Sequence, residues 1–157
     1  MGGILLLALL PFLAACGQQA SIRGEPRNPL ISFPYYRVLE VLDGKTILLE
    51  PPGGPEERVR LLGLGFPSPE AERRAEAYLR KLLLAKKVRL EKDKTEKDEE
   101  GGLPRYLYLE DFTFVNAEMI RQGLARALHQ EPDTKYRDLF TRLEEEAKKK
   151  NRGVWKK

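Results

Sequence analysis

Val115-Asn-Ala-Glu-Met-Ile-Arg-Gln-Gly-Leu-Ala125 reads as one short helix with its stop signal attached. Asn116 is placed to cap the start, and Gly123 to end it, because glycine enters the left-handed conformation without steric cost. Downstream, Tyr136, Leu139, Phe140, Leu143 and Ala147 fall on one stripe of a second helix, and Trp155 follows near its end. Upstream, Tyr106-Leu-Tyr-Leu109 and Val88-Arg-Leu-Glu91 read as strands separated by a charged, glycine-containing loop. Tyr106 and Tyr108 share one strand face, where core packing is expected rather than base stacking.

Ser68-Pro69-Glu70 carries the signs of a helix start: a cap residue, a proline in the first turn, and an acid at the positive end of the dipole. Ala71, Ala75, Tyr78, Leu79, Leu82 and Leu83 recur at helical spacing and form the face expected to be buried. Before it, Tyr36-Arg-Val-Leu-Glu-Val-Leu42, Thr46-Ile-Leu-Leu-Glu50 and Arg58-Val-Arg-Leu-Leu62 read as three strands. Asp43-Gly44 suits a tight hairpin turn with positive φ at its centre. The order is three strands, a helix, two strands and two helices.

These segments together resemble the staphylococcal nuclease (thermonuclease) family over residues 36–155. The carriers are Val41-Leu-Asp-Gly-Lys-Thr46, Val59-Arg-Leu-Leu-Gly-Leu64 with Pro67, Tyr106-Leu-Tyr108, the 115–125 stretch, and Asn151-Arg-Gly-Val-Trp155. The resemblance implies an α+β, mainly β fold: a five-stranded OB-type barrel with about three helices. It also implies calcium-dependent cleavage of DNA and RNA phosphodiesters. In that family two aspartates hold the metal, a glutamate orients or deprotonates water, and two arginines grip the phosphate. A cation and forked guanidinium donors stabilise the charge that develops on the phosphoryl oxygens.

Most of those positions are replaced in this chain. Lys45 stands where one metal aspartate is expected, Gly65 where the second is, Ser68 where the glutamate is, and Gly102 where the second arginine is. An ammonium cannot ligate a hard cation and would repel one. Arg60 alone keeps its family position, as the one catalytic residue the resemblance carries over. Lys45, Arg60 and Arg105 are the candidate substrate-binding cations. Glu70, two residues past the missing glutamate, and Arg105, three past Gly102, are the candidate replacements. The expectation is a non-catalytic homologue with no cofactor and no metal ligands, a binding or structural module that holds nucleic acid weakly and non-specifically if at all. The alternative is a calcium-dependent nuclease with a rewired site.

Composition agrees with a modest charge. Of 157 residues, 41% are apolar and 33% charged; 28 Lys plus Arg face 24 Asp plus Glu, a net +4. Residues 144–157 hold six basic and three acidic groups, leaving 22 basic against 21 acidic in residues 1–143. A strongly electropositive nucleic-acid surface is therefore not expected. Glu144-Glu-Glu146 and Lys148-Lys-Lys150 form i,i+4 pairs on a solvated helix face. Few Asn, Gln and Cys beside many Glu, Arg, Leu and Pro point to a heat-adapted source. His129 is the only histidine, with nothing near it in sequence to suggest a triad.

Residues 1–15 carry no charge, and Ile4–Ala15 is an apolar run broken by Pro11, too short to span a bilayer and suited to a secretory signal. The positive start such signals carry is missing, which leaves a misplaced start codon open. Leu13-Ala14-Ala15-Cys16 resembles a bacterial lipobox, which implies cleavage before Cys16 and acylation of its thiol. The expected organisation is a signal over 1–15, a flexible tether over 16–34, and a monomeric domain over 35–157. The location expected is the extracytoplasmic side of a bacterial membrane, in the cell envelope. Cys16 is the only cysteine, which excludes a disulfide framework.

Overall fold

The computed structural model describes residues 34–156. The segment expected to be a signal, Cys16 with its expected acylation, and all but the end of the expected tether lie outside the described residues. In chain order the elements are β1 (Tyr36–Val41), β2 (Thr46–Glu50), β3 (Glu57–Leu61), β4 (Leu64–Gly65), α1 (Pro69–Leu83), β5 (Lys87–Glu91), β6 (Leu103–Leu109), α2 (Val115–Arg121), β7 (Arg126–Ala127) and α3 (Arg137–Lys149). A single 3-10 turn, Gly153–Trp155, follows α3.

Five strands close the expected barrel in the order β1-β2-β3-β6-β5, with β5 returning to β1. The period-two alternation of the sequence fixes which face turns inward. Ile47 and Leu49 on β2 and Val59 and Leu61 on β3 are buried, while Thr46 and Arg60 pair on the outer face. β1, β2 and β3 form an antiparallel meander, whereas β6 joins β3 in parallel. A parallel neighbour needs a long crossover, and α1 with β5 supplies it.

Four details differ from the sequence reading. β6 starts at Leu103, three residues earlier than Tyr106, because Leu103, Pro104 and Arg105 pair with Val59, Arg60 and Leu61 to complete the barrel. The two-residue strands β4 and β7 pair with each other, Leu64 with Ala127 and Gly65 with Arg126. The Asp43-Gly44 turn uses no positive φ; the Asp43 carboxylate holds it instead. Asn116 does not cap α2. Phe114 is the cap residue, without a side-chain hydrogen bond, and Asn116 lies two residues on, within the first turn and fully buried.

Asn116 has a different task. Its Oδ1 accepts from the amide of Leu107 at 2.9 Å, and its Nδ2 donates to the carbonyls of Leu62 at 2.8 Å and Arg105 at 3.4 Å. One amide thereby ties α2 to β6 and to the end of β3, giving partners to the buried Leu107 amide and Leu62 carbonyl. The α1 face is as read, with Ala71, Ala75, Leu79 and Leu83 buried. Tyr106 and Tyr108 pack in the core as expected, meeting Phe114, Tyr136 and Phe140: Tyr106 is edge-on to Tyr136 at 4.7 Å and Tyr108 is stacked on Phe114 at 4.6 Å.

Candidate functional site

The β1–β2 turn, the outer face of β3 and the loop before β6 enclose a shallow cleft of about 190 Å³. Leu42, Asp43, Thr46, Arg58, Arg60, Asp98 and Glu100 line it. Asp43 is turned back on its own loop: Oδ1 accepts the amides of Lys45 at 2.8 Å and Thr46 at 2.7 Å. Such a side-chain turn is the common use of aspartate before glycine. Gly44 is required for space, since a Cβ there would lie 2.9 Å from the Glu72 carbonyl oxygen in α1. The Lys45 carbonyl accepts from Leu61, fastening the turn to β3. The Lys45 side chain makes no hydrogen bond or ion pair among the described residues.

Arg60 leaves β3 toward the 98–102 loop, and its Nε donates to Asp98 Oδ2 at 3.0 Å. Asp98 Oδ1 accepts from Glu100 N at 3.1 Å and Gly102 N at 2.8 Å. Burial works to raise the Asp98 carboxyl, but the Arg60 hydrogen bond, the Gly102 amide, the Arg60 charge and the Glu100 amide outweigh it and hold it below its ordinary value. A Cβ on Gly102 would sit 3.1 and 3.2 Å from the two Asp98 oxygens. The loop is thus built for an aspartate-closed turn, with little room for a longer residue at 102. Arg58 adds a looser pair with Glu100 at 3.7 Å.

The other expected residues lie elsewhere. Gly65 is in β4 opposite Arg126; a Cβ would meet Leu128 at 3.4 Å, an ordinary contact, so space does not forbid a side chain. Ser68 caps α1, its Oγ accepting from the amide of Ala71 at 3.2 Å. Glu70 is exposed and pairs with Arg73 at 2.9 Å. Its own amide, more than Arg73, lowers its carboxyl. Arg105 is buried under the β5–β6 loop, donating to the carbonyls of Pro104, Thr95 and Glu96 at 2.8, 3.2 and 3.1 Å and to the Glu96 carboxylate at 2.8 Å. The structure therefore brings Arg60 into the cleft and leaves Glu70 and Arg105 committed to other partners.

Calcium requires several oxygen ligands converging on one point. Among the described residues no three of His, Cys, Asp or Glu are grouped closely enough to hold a metal ion. Asp43 and Asp98 already give oxygens to backbone amides and to Arg60. The donor set does not fit the cation.

A profile described as "Staphylococcal nuclease homologue" matches residues 58–157. The chain belongs to the staphylococcal nuclease family. Thermonuclease of Staphylococcus intermedius is 36% identical over 130 residues, covering 78% of this chain and 76% of that protein. Thermonuclease of Staphylococcus hyicus is 31% identical over 128 residues, 76% and 75% of the two chains. Endonuclease YncB of Bacillus subtilis (strain 168) is 38% identical over 80 residues, half of this chain and 37% of its own length. The closed five-stranded barrel with three helices is the family's OB-type fold.

Sequence reasoning named Arg60 but missed its partner. Asp98 stands three residues before the glycine pair Gly101-Gly102, a turn signal in its own right. Asn116 was seen, and given the wrong task.

Proposed function

We propose that this nuclease-family protein is a non-catalytic module held at the extracytoplasmic face of a bacterial membrane through lipidated Cys16, with weak, non-specific affinity for nucleic acid. The observation that carries the first half is the state of the Asp98 carboxylate. Both its oxygens are engaged, one by Arg60 and one by the amides of Glu100 and Gly102, so the arginine that would grip phosphate is held by an acid and the acid is held by its loop. Lys45, Gly65, Ser68 and Gly102 supply neither metal oxygens nor a base nor a second phosphate clamp. Losing one transition-state donor typically costs ~10²–10³ in rate, and here several are replaced together. The anchoring half rests on the Leu13-Ala14-Ala15-Cys16 motif after an apolar run.

A second reading is a calcium-dependent nuclease with a rewired site. It is favoured by the fact that Asp43, Asp98 and Glu100 line one cleft, and by relatives that bear nuclease names. An assay of single-stranded DNA and RNA cleavage with and without calcium separates the two. No cleavage above background is expected; turnover abolished by EDTA and restored by calcium, in protein free of contaminating nuclease, would establish the second reading. For the anchor, Cys16→Ala should move the protein from the membrane to the soluble fraction. Retention of the alanine variant in membranes, or no fatty acid on Cys16, would refute it.

A further inference from the structure

The turns before β5 and after β6 carry the most exposed large apolar side chains among the described residues. β5 and β6 are antiparallel, with Val88 opposite Leu109, so the turn before β5 and the turn after β6 lie at the same end. Leu84 in the first turn is 77% exposed and Phe112 in the second is 73% exposed. Both turns are tight and use a non-glycine residue in the left-handed region, Ala85 at φ 55° and Phe112 itself at φ 67°. That conformation costs roughly 1–2 kcal/mol for an L-residue, and its result at Phe112 is a ring held out in solvent.

Arg89 lies between this ring and another. Its guanidinium carbon is 4.4 Å from the centre of Phe112 and 5.5 Å from the centre of Tyr35. Unlike Arg37, Arg58, Arg60, Arg73, Arg80 and Arg105, it has no carboxylate partner among the described residues. Its Nε is buried without a hydrogen bond. Lys86 and Lys87 precede it, and Glu110 and Asp111 border it, so the local charge is one positive in excess. An aromatic-flanked, carboxylate-free guanidinium matches a phosphate, and exposed rings match the boundary between headgroups and acyl chains.

We propose that this end of the domain, through Tyr35, Leu84, Arg89 and Phe112, rests on the surface of a phospholipid bilayer, with Arg89 on a lipid phosphate and the two rings at headgroup depth. The choice of a bilayer over other partners comes from where the chain arrives. Tyr35, one ring of the sandwich, is the residue at which the polypeptide from Cys16 enters the barrel, and the eighteen residues 17–34 span at most roughly 60 Å. β6 begins beside the cleft and ends at the patch, a separation of about 20 Å over its length. A domain seated this way holds the β6 end of its cleft about 20 Å along the strand from Phe112's turn. The inference deepens the anchoring reading and rests on it for orientation, although the contact itself is measured without the acyl group.

The test uses the full chain carrying Cys16→Ala and Phe112→Trp, mixed with vesicles of equal parts phosphatidylcholine and phosphatidylglycerol brominated in their acyl chains. Emission from the introduced indole should shift to the blue and fall by at least half, while the natural Trp155, read in the chain without Phe112→Trp, is unaffected. Adding Arg89→Glu should reduce the quenching several-fold at an unchanged unfolding midpoint, and Arg89→Lys should restore part of it. Quenching absent from the introduced indole, or equal at Trp155, overturns the proposal. So does quenching that is indifferent to Arg89 while Arg89→Glu abolishes binding of an oligonucleotide, which would make the face a nucleic-acid platform. Fatty-acid labelling of Cys16 is scored separately: labelling without quenching refutes the contact, and quenching without labelling refutes the anchor alone.

Discussion

Nε of Arg60 stands 3.0 Å from Oδ2 of Asp98, while the other oxygen of the same carboxylate takes the amides of Glu100 and Gly102. The pair is only partly screened, with side chains 31% and 18% exposed. It joins a barrel strand to the loop that faces it across the cleft, so any change in the acid alters both the loop and the availability of the arginine.

Asp98→Ala should therefore do two things at once. Removing an acceptor that serves three donors should destabilise the domain by about 1–3 kcal/mol, read from the urea midpoint at constant m-value. The released guanidinium should tighten binding of a single-stranded oligonucleotide and steepen its salt dependence by about one phosphate contact, ~0.7 in the log–log slope. Unchanged binding in a folded variant would show that Arg60 is not directed into the cleft once freed.

In the unmodified chain, two or three effective phosphate contacts are the most that Lys45, Arg60 and the balanced body charge can provide. Affinity at physiological salt should be no better than the ~10⁻⁴–10⁻⁶ M of non-specific binding, with a shallow slope and no sequence preference. A fluorescent oligonucleotide titrated at several salt concentrations, with Lys45→Ala and Arg60→Ala alongside, measures it. Submicromolar binding lost in either variant would make the cleft a nucleic-acid site.

Asn116→Ala should be among the most damaging single polar substitutions, at about 2–4 kcal/mol, because it leaves the Leu107 amide and the Leu62 carbonyl buried without partners. Asn116→Asp keeps the acceptor and loses the donor, and should lie close to the alanine variant. A loss under about 0.5 kcal/mol in either would mean that water reaches those groups.

That position shows what the sequence could and could not convey. The β1–β3 meander was legible because its apolar period of two is local, and α1 because Ser68-Pro69 announces it. Leu103-Pro104-Arg105 was not legible as strand: a proline and a charge argue against one, and only the distant β3 edge makes it one. β4 and β7, at two residues each, carry no periodicity at all. Lys45, Gly65, Ser68 and Gly102 told which chemical groups are missing. Asp98 closes on Arg60 across 38 residues, which no local pattern conveys, and Arg105 is used up by the carbonyls of Thr95 and Glu96 only because the irregular loop before β6 folds back over it.

Glu91 sets a pH dependence of stability. Burial raises its carboxyl, but hydrogen bonds from Lys135, Tyr108 and Tyr136, and the charge of Lys135, hold it below the ordinary value. A group depressed in the folded state contributes stability that is complete above its unfolded value, about 4.3, and is lost as pH falls through the lower folded value. Lys135, raised first of all by its hydrogen bond to Glu91, behaves conversely: its share is complete below about 10.4 and is lost as pH rises through the higher folded value. Glu91→Gln should thus be less stable than the parent at pH 7, with the gap narrowing below about pH 4. A constant gap down to pH 2, followed by chemical denaturation, would show that the carboxylate's charge is not what the network uses.

The parallel seam between β3 and β6 also governs how the barrel is reached from the unfolded chain. Val59 meets Leu103 and Leu61 meets Arg105, each across 44 residues of sequence, and Tyr36 meets Val88 across 52. Neither seam forms until a long loop has closed, so the first three strands and α1 can assemble early while the last staves wait. Long-range pairings of this kind slow the search for the native state. The 98–102 loop sits at the mouth of one seam, and its aspartate turn sets the direction in which β6 starts, which makes Asp98 as much a guide for the arriving strand as a partner for Arg60.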